Sequence, residues 1–262
     1  MDFKYCSTPR LTWWFDHHQS AFLTPEDARH FQQDRSGKKF FDPQYKSCTK
    51  FVAFVARERF GWEAPPDLAE LIEWADIIDG AQYPDAASAV RMESPATQLS
   101  LVIEASDDAN LPSRLIPMLG SRRLADIMAD AHIAGLLQPL YQRHMDSIEV
   151  IRSRARQEGP VVFFDLTDLG MEGYSKFIPY YLFPSSVYSV SVSPSSFRTK
   201  ISVGSNPWNA HGPMHNLATI CERYGGGGHP RVGAISFEPG AVERGRQAAL
   251  EIVEELKGPA PQ

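Results

Sequence analysis

Cysteine is scarce in this chain. Cys6, Cys48 and Cys221 are the only three among 262 residues. An odd count at such wide spacing builds no disulfide framework and points to a reducing, cytoplasmic compartment. No apolar run approaches the length of a bilayer span, and the first residues lack the pattern of a secretory leader, so no membrane partner is expected. Basic residues are outnumbered, 26 Lys and Arg against 32 Asp and Glu, for a formal net charge of −6. A chain with that balance is ill suited to coat a long nucleic-acid duplex, which demands many phosphate contacts. It leaves room for a small phosphorylated substrate or a short single-stranded oligonucleotide in a local pocket. There is no Gly-x-Ser-x-Gly and no cysteine with an evident histidine partner, so serine or cysteine nucleophile chemistry has no support. What remains is ordinary for a globular protein: 43% hydrophobic and 22% charged residues, and enough length for one large or two modest cores.

Leu11-Thr12-Trp13-Trp14-Phe15 is apolar without alternation, which predicts a strand buried on both faces. It stops at Asp16-His17-His18. Polar residues just beyond the C-terminal end of such a strand are where open α/β sheets place ligands. Helical patterns follow over residues 49–60 and 66–78, the second with Asp67 and Glu70 in its first turn as helix-end charges. From residue 112 to about 158 the spacing of Ile133, Leu136, Leu137, Leu140, Tyr141, Met145 and Ile148 is helical, with a kink expected at Pro139. That stretch reads as a connector between two lobes. Strand patterns then cover residues 161–166, 187–192 and 199–203, the last two alternating as half-buried strands with Ser and Lys on one face. A helix over 214–224, the run Gly225-Gly226-Gly227-Gly228-His229, a strand over 232–237 and a helix ending near Leu256 follow.

Asp2, Asp16, His17, His18, Asp76 and Asp79 form a carboxylate and imidazole set without thiolate. Such donors suit Mn²⁺, Mg²⁺ or Fe²⁺ better than a structural zinc. Two such cations about 3.5–4 Å apart activate water and stabilise in-line attack on phosphorus. Any one of these acids, taken alone, is equally well a helix cap or a surface charge. Consecutive glycines can turn backbone N–H groups inward to cradle an anion, with His229 as a further donor, although a flexible turn is the simpler reading of the run alone.

Together, Trp14-Phe15-Asp16-His17-His18 and the later Gly226-Gly227-Gly228-His229 resemble the DHH phosphoesterase superfamily, the second element resembling the glycine-rich signature of its associated C-terminal domain. The resemblance implies an α/β fold with three parts. A mainly parallel-sheet metal-binding domain over residues 1–111, N-terminally incomplete, leads through a helical connector over 112–158 to a smaller α+β substrate-binding domain over 159–262. By the same resemblance Asp2 looks like the aspartate that bridges two metals and His17 like a metal-binding histidine. His18 looks like the histidine facing the substrate phosphate, and Asp16 like its orienting partner. Trp74-Ala75-Asp76-Ile77-Ile78-Asp79-Gly80 looks like a further ligand motif, with Asp79 favoured because it precedes Gly80 at a helix exit and Asp76 the fallback. Asn206, Gly226, Gly227, Gly228 and His229 are the implied substrate-binding residues, and Mn²⁺ the foremost metal, with Mg²⁺ second. Two departures stand out. Val232 occupies a position where the family often has alanine, and no His-x-Asp-x-Asp motif precedes Asp2. The chain as written is therefore expected to be a late-started version of a complete enzyme, weakly active, with Asp2 loosely held near the terminus.

The implied activity is metal-dependent hydrolysis of phosphodiester or phosphomonoester bonds in short oligonucleotides or nucleotides, with Trp208 and Tyr224 as candidates to stack on a base. Beside it stand a phosphoanhydride hydrolase of exopolyphosphatase or pyrophosphatase type, and a phosphate-ligand binding module that has lost the metal pair. Assembly as a homodimer is left open.

Overall fold

The structure is a computed structural model, which describes residues 2–171, 173–209 and 214–260. In chain order its elements begin with β1 (Trp14–Asp16), α1 (Pro25–Gln33), β2 (Lys39–Phe41), α2 (Cys48–Phe60) and α3 (Pro66–Asp79). The helices α4 (Ala86–Val90), α5 (Pro95–Ala105), α6 (Leu111–Leu119), α7 (Leu124–Met128) and α8 (Ala131–Arg154) follow. The remainder is β3 (Arg156–Glu158), β4 (Val161–Asp165), α9 (Ile178–Leu182), β5 (Tyr188–Pro194), β6 (Thr199–Ser205), α10 (Leu217–Glu222), β7 (Gly227–His229), β8 (Val232–Phe237) and α11 (Val242–Lys257). The chain divides into two compact units, one of Met1–Tyr83, Ser94–Ile103 and Asp107–Ala134, the other of Pro84–Glu93, Glu104–Ser106 and Gly135–Gln262. Helix α8 continues through Pro139 as one 24-residue element, so the expected kink does not break it. No helix among the described residues is long and apolar enough to cross a membrane.

In the first unit β1 and β2 pair in parallel, Trp14 with Lys39, Phe15 with Phe40 and Asp16 with Phe41. Successive side chains of a strand point to opposite faces. Trp14 accordingly packs with Tyr5 and Ala21, while Phe15 joins Cys48, Phe51 and Val55 of α2. The Tyr5 and Trp14 rings meet edge-on with centroids 4.9 Å apart, a pairing that adds about 0.5–1.5 kcal/mol beyond area burial. The strand is shorter than its apolar run. Leu11 N–H turns back to the Thr8 carbonyl, and Trp13 is 45% exposed. A mainly parallel sheet was expected here; among the described residues the unit's sheet is this pair alone. The reason is that the rest of the unit follows helical signals. Ser47 caps α2 by accepting the Lys50 N–H, and Gly61 ends it in a left-handed turn at φ 66°. The start of the chain is also better held than expected. Asp2 N–H donates to Phe15 O at 2.8 Å, Tyr5 N–H to Ala21 O, and the Trp14 indole to Phe3 O at 2.7 Å.

The second unit, expected to be the smaller lobe, carries the larger sheet. Its six strands run β3-β4-β5-β6-β8-β7, with β4 and β5 parallel and the other neighbours antiparallel, so the sheet is mixed. Val190, Val192, Ile201, Val203 and Ile235 pack with Ala249, Ile252 and Leu256 of α11. Val162 and Phe164 alternate to the other face and join Ile148, Ile151 and Ile178. Strand β6 alternates as anticipated, but β5 does not: Ser189, Ser191 and Ser193 are all buried. A buried hydroxyl left unpaired costs about 1–3 kcal/mol. Tyrosines supply the missing partners, with Tyr180 Oη 2.8 Å from Ser189 Oγ and Tyr174 donating to Ser191 Oγ at 2.9 Å.

The glycine run is not an open nest of inward N–H groups. The Gly225 and Gly226 amides donate to Glu222 O and Cys221 O, closing α10, and Gly227 to His229 form the edge strand β7 against β8. Contact with β8 is close enough to demand glycine at two places. A Cβ on Gly226 would lie 2.2 Å from Ala234 O, and one on Gly228, where φ is 153°, 2.2 Å from Val232 O. A Cβ on Gly227 would meet nothing within 4 Å. Gly226→Ala and Gly228→Ala are therefore expected to destabilise by about 1–3 kcal/mol, and Gly227→Ala by no more than ~0.5 kcal/mol, in denaturant melts. Equal effects at all three positions would contradict the hairpin.

Candidate metal centre

The end of β1 delivers three consecutive polar residues to one spot. Asp16 is 1% exposed, and its Oδ1 accepts the His18 backbone N–H at 2.9 Å and lies 2.8 Å from His18 Nδ1. That bond from Asp16, against a smaller opposing effect of burial, raises the His18 pKa, with the charges of Asp16, Asp2 and Asp79 adding to it. His18 is exposed, and its Nδ1 is also 3.6 Å from Asp2 Oδ1.

His17 is fixed differently. Its Nδ1 is 3.1 Å from the carbonyl oxygen of Tyr45. A carbonyl only accepts, so Nδ1 carries a proton, and a neutral ring so held presents its lone pair at Nε2. That Nε2 is buried and makes no hydrogen bond, yet Asp2 Oδ1 approaches it at 3.3 Å and Asp79 Oδ2 at 3.7 Å. Asp16 Oδ2 is likewise buried without a partner. Ligands adjacent to one another around a cation at about 2.1 Å stand about 3 Å apart, close to the spacing of these atoms. Asp2, His17 and His18 each offer a ligand atom within 4.8 Å of the others. The donor set therefore fits a divalent cation. Burial, with the charge of Asp2, holds the Asp79 carboxyl above the ordinary carboxylate range although His17 opposes it. The neighbouring Cys48 is engaged elsewhere, its Sγ donating to Phe15 O at 3.6 Å, and burial pushes its thiol up to about 11.

Asp76, the alternative ligand, is engaged elsewhere. Its carboxylate accepts from Ser47 Oγ at 3.0 Å, Lys50 Nζ at 3.1 Å and Gln82 Nε2 at 3.2 Å. Burial works against ionisation there, but these donors outweigh it and lower the pKa. Neither the carbonyl of Tyr45 nor Gln82 could be found from sequence, since a backbone acceptor has no residue-type signature. Ser47 had one, as a serine immediately before a helical pattern.

The second unit holds the other predicted residues. Asn206 is 1% exposed, with its amide donating to Ser186 O at 2.8 Å and its Oδ1 accepting from Trp208 N–H at 3.0 Å, so it clamps its own loop. Trp208 meets Phe177 edge-on, and Tyr224 donates to Glu251 at 2.9 Å. His229 is exposed at the end of β7.

No family model and no curated protein matches the chain. Among solved structures, a pGpG-specific phosphodiesterase, PggH from Vibrio cholerae, superposes with a TM-score of 0.70 at 19% identity, over 92% of this chain and 79% of that one. Over most of its length the chain shares the fold of that phosphodiesterase. The likeness is one of fold. An exopolyphosphatase-related protein from Bacteroides fragilis aligns at 18% identity and a TM-score of 0.46, over 93% of this chain and 63% of that one. The DHH domain of a member of the s1p family of ribosomal proteins does so at 13% and 0.39, over 89% and 68%.

A cation held by His17 stabilises the folded state by mass action. Mn²⁺ at about 100 times its Kd is expected to add ~2.7 kcal/mol, seen as a rise in Tm that is absent in His17→Ala. An equal rise in both proteins would remove His17 from the ligand set.

Proposed function

We propose that this protein is a divalent-metal-dependent phosphoesterase acting on short linear oligonucleotides, with a dinucleotide as the foremost substrate. The carrying observation is the state of His17, whose proton lies on Nδ1 against Tyr45 O while a buried, unpartnered Nε2 faces Asp2 and Asp79. An imidazole so oriented is a cation ligand with its outer support already built. Asp2, His17 and Asp79 would hold the cation, Mn²⁺ before Mg²⁺, and it would supply Lewis acidity toward a phosphoryl group.

The roles of the chain's own residues follow from their bonds. His18, oriented by Asp16 and exposed, is free to donate to a phosphoryl oxygen as negative charge grows there. Asp16 keeps the proton on Nδ1 directed inward and stabilises the charged ring. In the second unit, Gly226, Gly227, Gly228 and His229 remain the proposed contacts to a phosphorylated ligand. The choice of a dinucleotide draws on the shared fold with the pGpG-specific phosphodiesterase. The net charge of −6 agrees with a small substrate rather than a polymer.

The test is a Mn²⁺-supplemented assay of the purified chain on pGpG, other linear dinucleotides, p-nitrophenyl phosphate and polyphosphate. Release of nucleoside monophosphates that EDTA abolishes is expected, with kcat lowered roughly 10²-fold in His18→Ala. Binding of pGpG without turnover would favour the binding module, and turnover of polyphosphate alone the phosphoanhydride hydrolase.

A further inference from the structure

Asp79 leaves α3 at its last turn, and nothing in that turn alone fixes how far its carboxylate stands from His17. The fixing lies in a chain of bonds. The loop after β2 begins with Asp42 N–H donating to Asp16 O at 3.2 Å. Three residues on, Tyr45 O receives His17 Nδ1. Two further on, Ser47 caps α2 and donates its hydroxyl to Asp76 Oδ1, one helical turn before Asp79. Beyond Asp79 the chain folds back, and Gln82 Nε2 donates both to Asp76 O at 2.9 Å and to Asp76 Oδ2. The fold-back is tight. Ala81 takes φ 50°, a left-handed conformation that a non-glycine residue adopts only when its surroundings require it. A Cβ on Gly80 would sit 2.7 Å from the Gln82 amide and 2.9 Å from Asp76 O.

We infer that Ser47, Asp76 and Gln82 are positioning residues that set the spacing between His17 and Asp79, and so the affinity and geometry of the cation site. The inference rests on the metal reading proposed above and assigns Asp76 a different part in it from that of a ligand. One short loop carries the support of both ligands, through Tyr45 O on one side and Ser47 on the other. Loss of the Gln82 amide removes the side-chain tie across the turn that carries Asp79, leaving only its backbone bonds, among them Gly80 N–H to Asp76 O and Gln82 N–H to Ile77 O, while Asp76 keeps its bonds to Ser47 and Lys50. Gln82 is exposed, so its removal leaves no cavity in the core.

The experiment compares the wild-type chain with Gln82→Ala and Asp76→Asn. Mn²⁺ binding is followed by electron paramagnetic resonance, the visible spectrum of the Co²⁺ form is recorded, and metal-free Tm is measured. In Gln82→Ala the Mn²⁺ Kd is expected to rise by roughly 10-fold or more, with an altered Co²⁺ spectrum and a metal-free Tm close to wild type. In Asp76→Asn, where the amide can no longer accept from Ser47 on one side and from Lys50 and Gln82 on the other, the same change is expected and larger. Wild-type affinity and spectrum in Gln82→Ala would overturn the inference and leave the metal reading standing, as would loss of binding in Asp76→Asn alone, the mark of a ligand. Collapse of the metal-free Tm in Gln82→Ala would overturn it too, by making the turn a general stability element. If the wild type takes up no Mn²⁺, the metal reading and the inference fall together.

Discussion

The hydrogen bond from His17 Nδ1 to the carbonyl of Tyr45 is the constraint on which the candidate site turns. It selects one tautomer, aims one lone pair, and needs the loop after β2 to lie beneath the end of β1. Parallel pairing of β1 with β2 brings the loop there, and the bond from Asp42 N–H to Asp16 O extends that pairing one residue further. The aromatic packing of Trp14 and Phe15 on opposite faces then resists any rotation of β1 that would carry His17 away. Three residues of strand suffice because both faces are anchored.

The same spot is crowded with negative charge. Two carboxylates face one imidazole nitrogen, and a third, that of Asp16, lies buried beneath the neighbouring histidine. Unit charges of like sign about 4 Å apart repel by ~4 kcal/mol near a protein surface. Such crowding is maintained by the surrounding fold, and it eases when positive charge enters. The upward displacement of the Asp79 pKa comes first from burial, with the charge of Asp2 adding to it and His17 opposing.

How much of this was legible in the sequence varies residue by residue. The structure brings together the Asp16-His17-His18 triplet, singled out because an apolar run ended on it, and Asp79, singled out because a glycine followed it at a helix exit. The helices α2 and α3 and the strand β8 were legible through spacing and caps. The parallel-sheet lobe was not borne out as drawn, since residues with helical spacing occupy most of the first unit. Ser189, Ser191 and Ser193 misled because alternation with polar residues ordinarily marks a solvent face, and only the fold shows Tyr174 and Tyr180 arriving to pair with them. The backbone path of the glycine run was not legible for a related reason. Its composition describes what the backbone can adopt, whereas the adjacent β8 decides what it does adopt. Tyr45 O and Gln82 act through groups whose partners lie far along the chain, beyond the reach of any local pattern.

Strand β5 has a further consequence once the fold is lost. Val187-Tyr188-Ser189-Val190-Ser191-Val192-Ser193 is seven residues without charge, proline or glycine and rich in β-formers, the composition of a cross-β segment. In the native sheet it lies in the interior, hydrogen-bonded on both edges by β4 and β6. Pro184 and Pro194 flank it and block its extension in either direction. An unfolded chain releases this segment, and intermolecular stacking then competes with refolding. Refolding yield is then expected to fall as protein concentration rises.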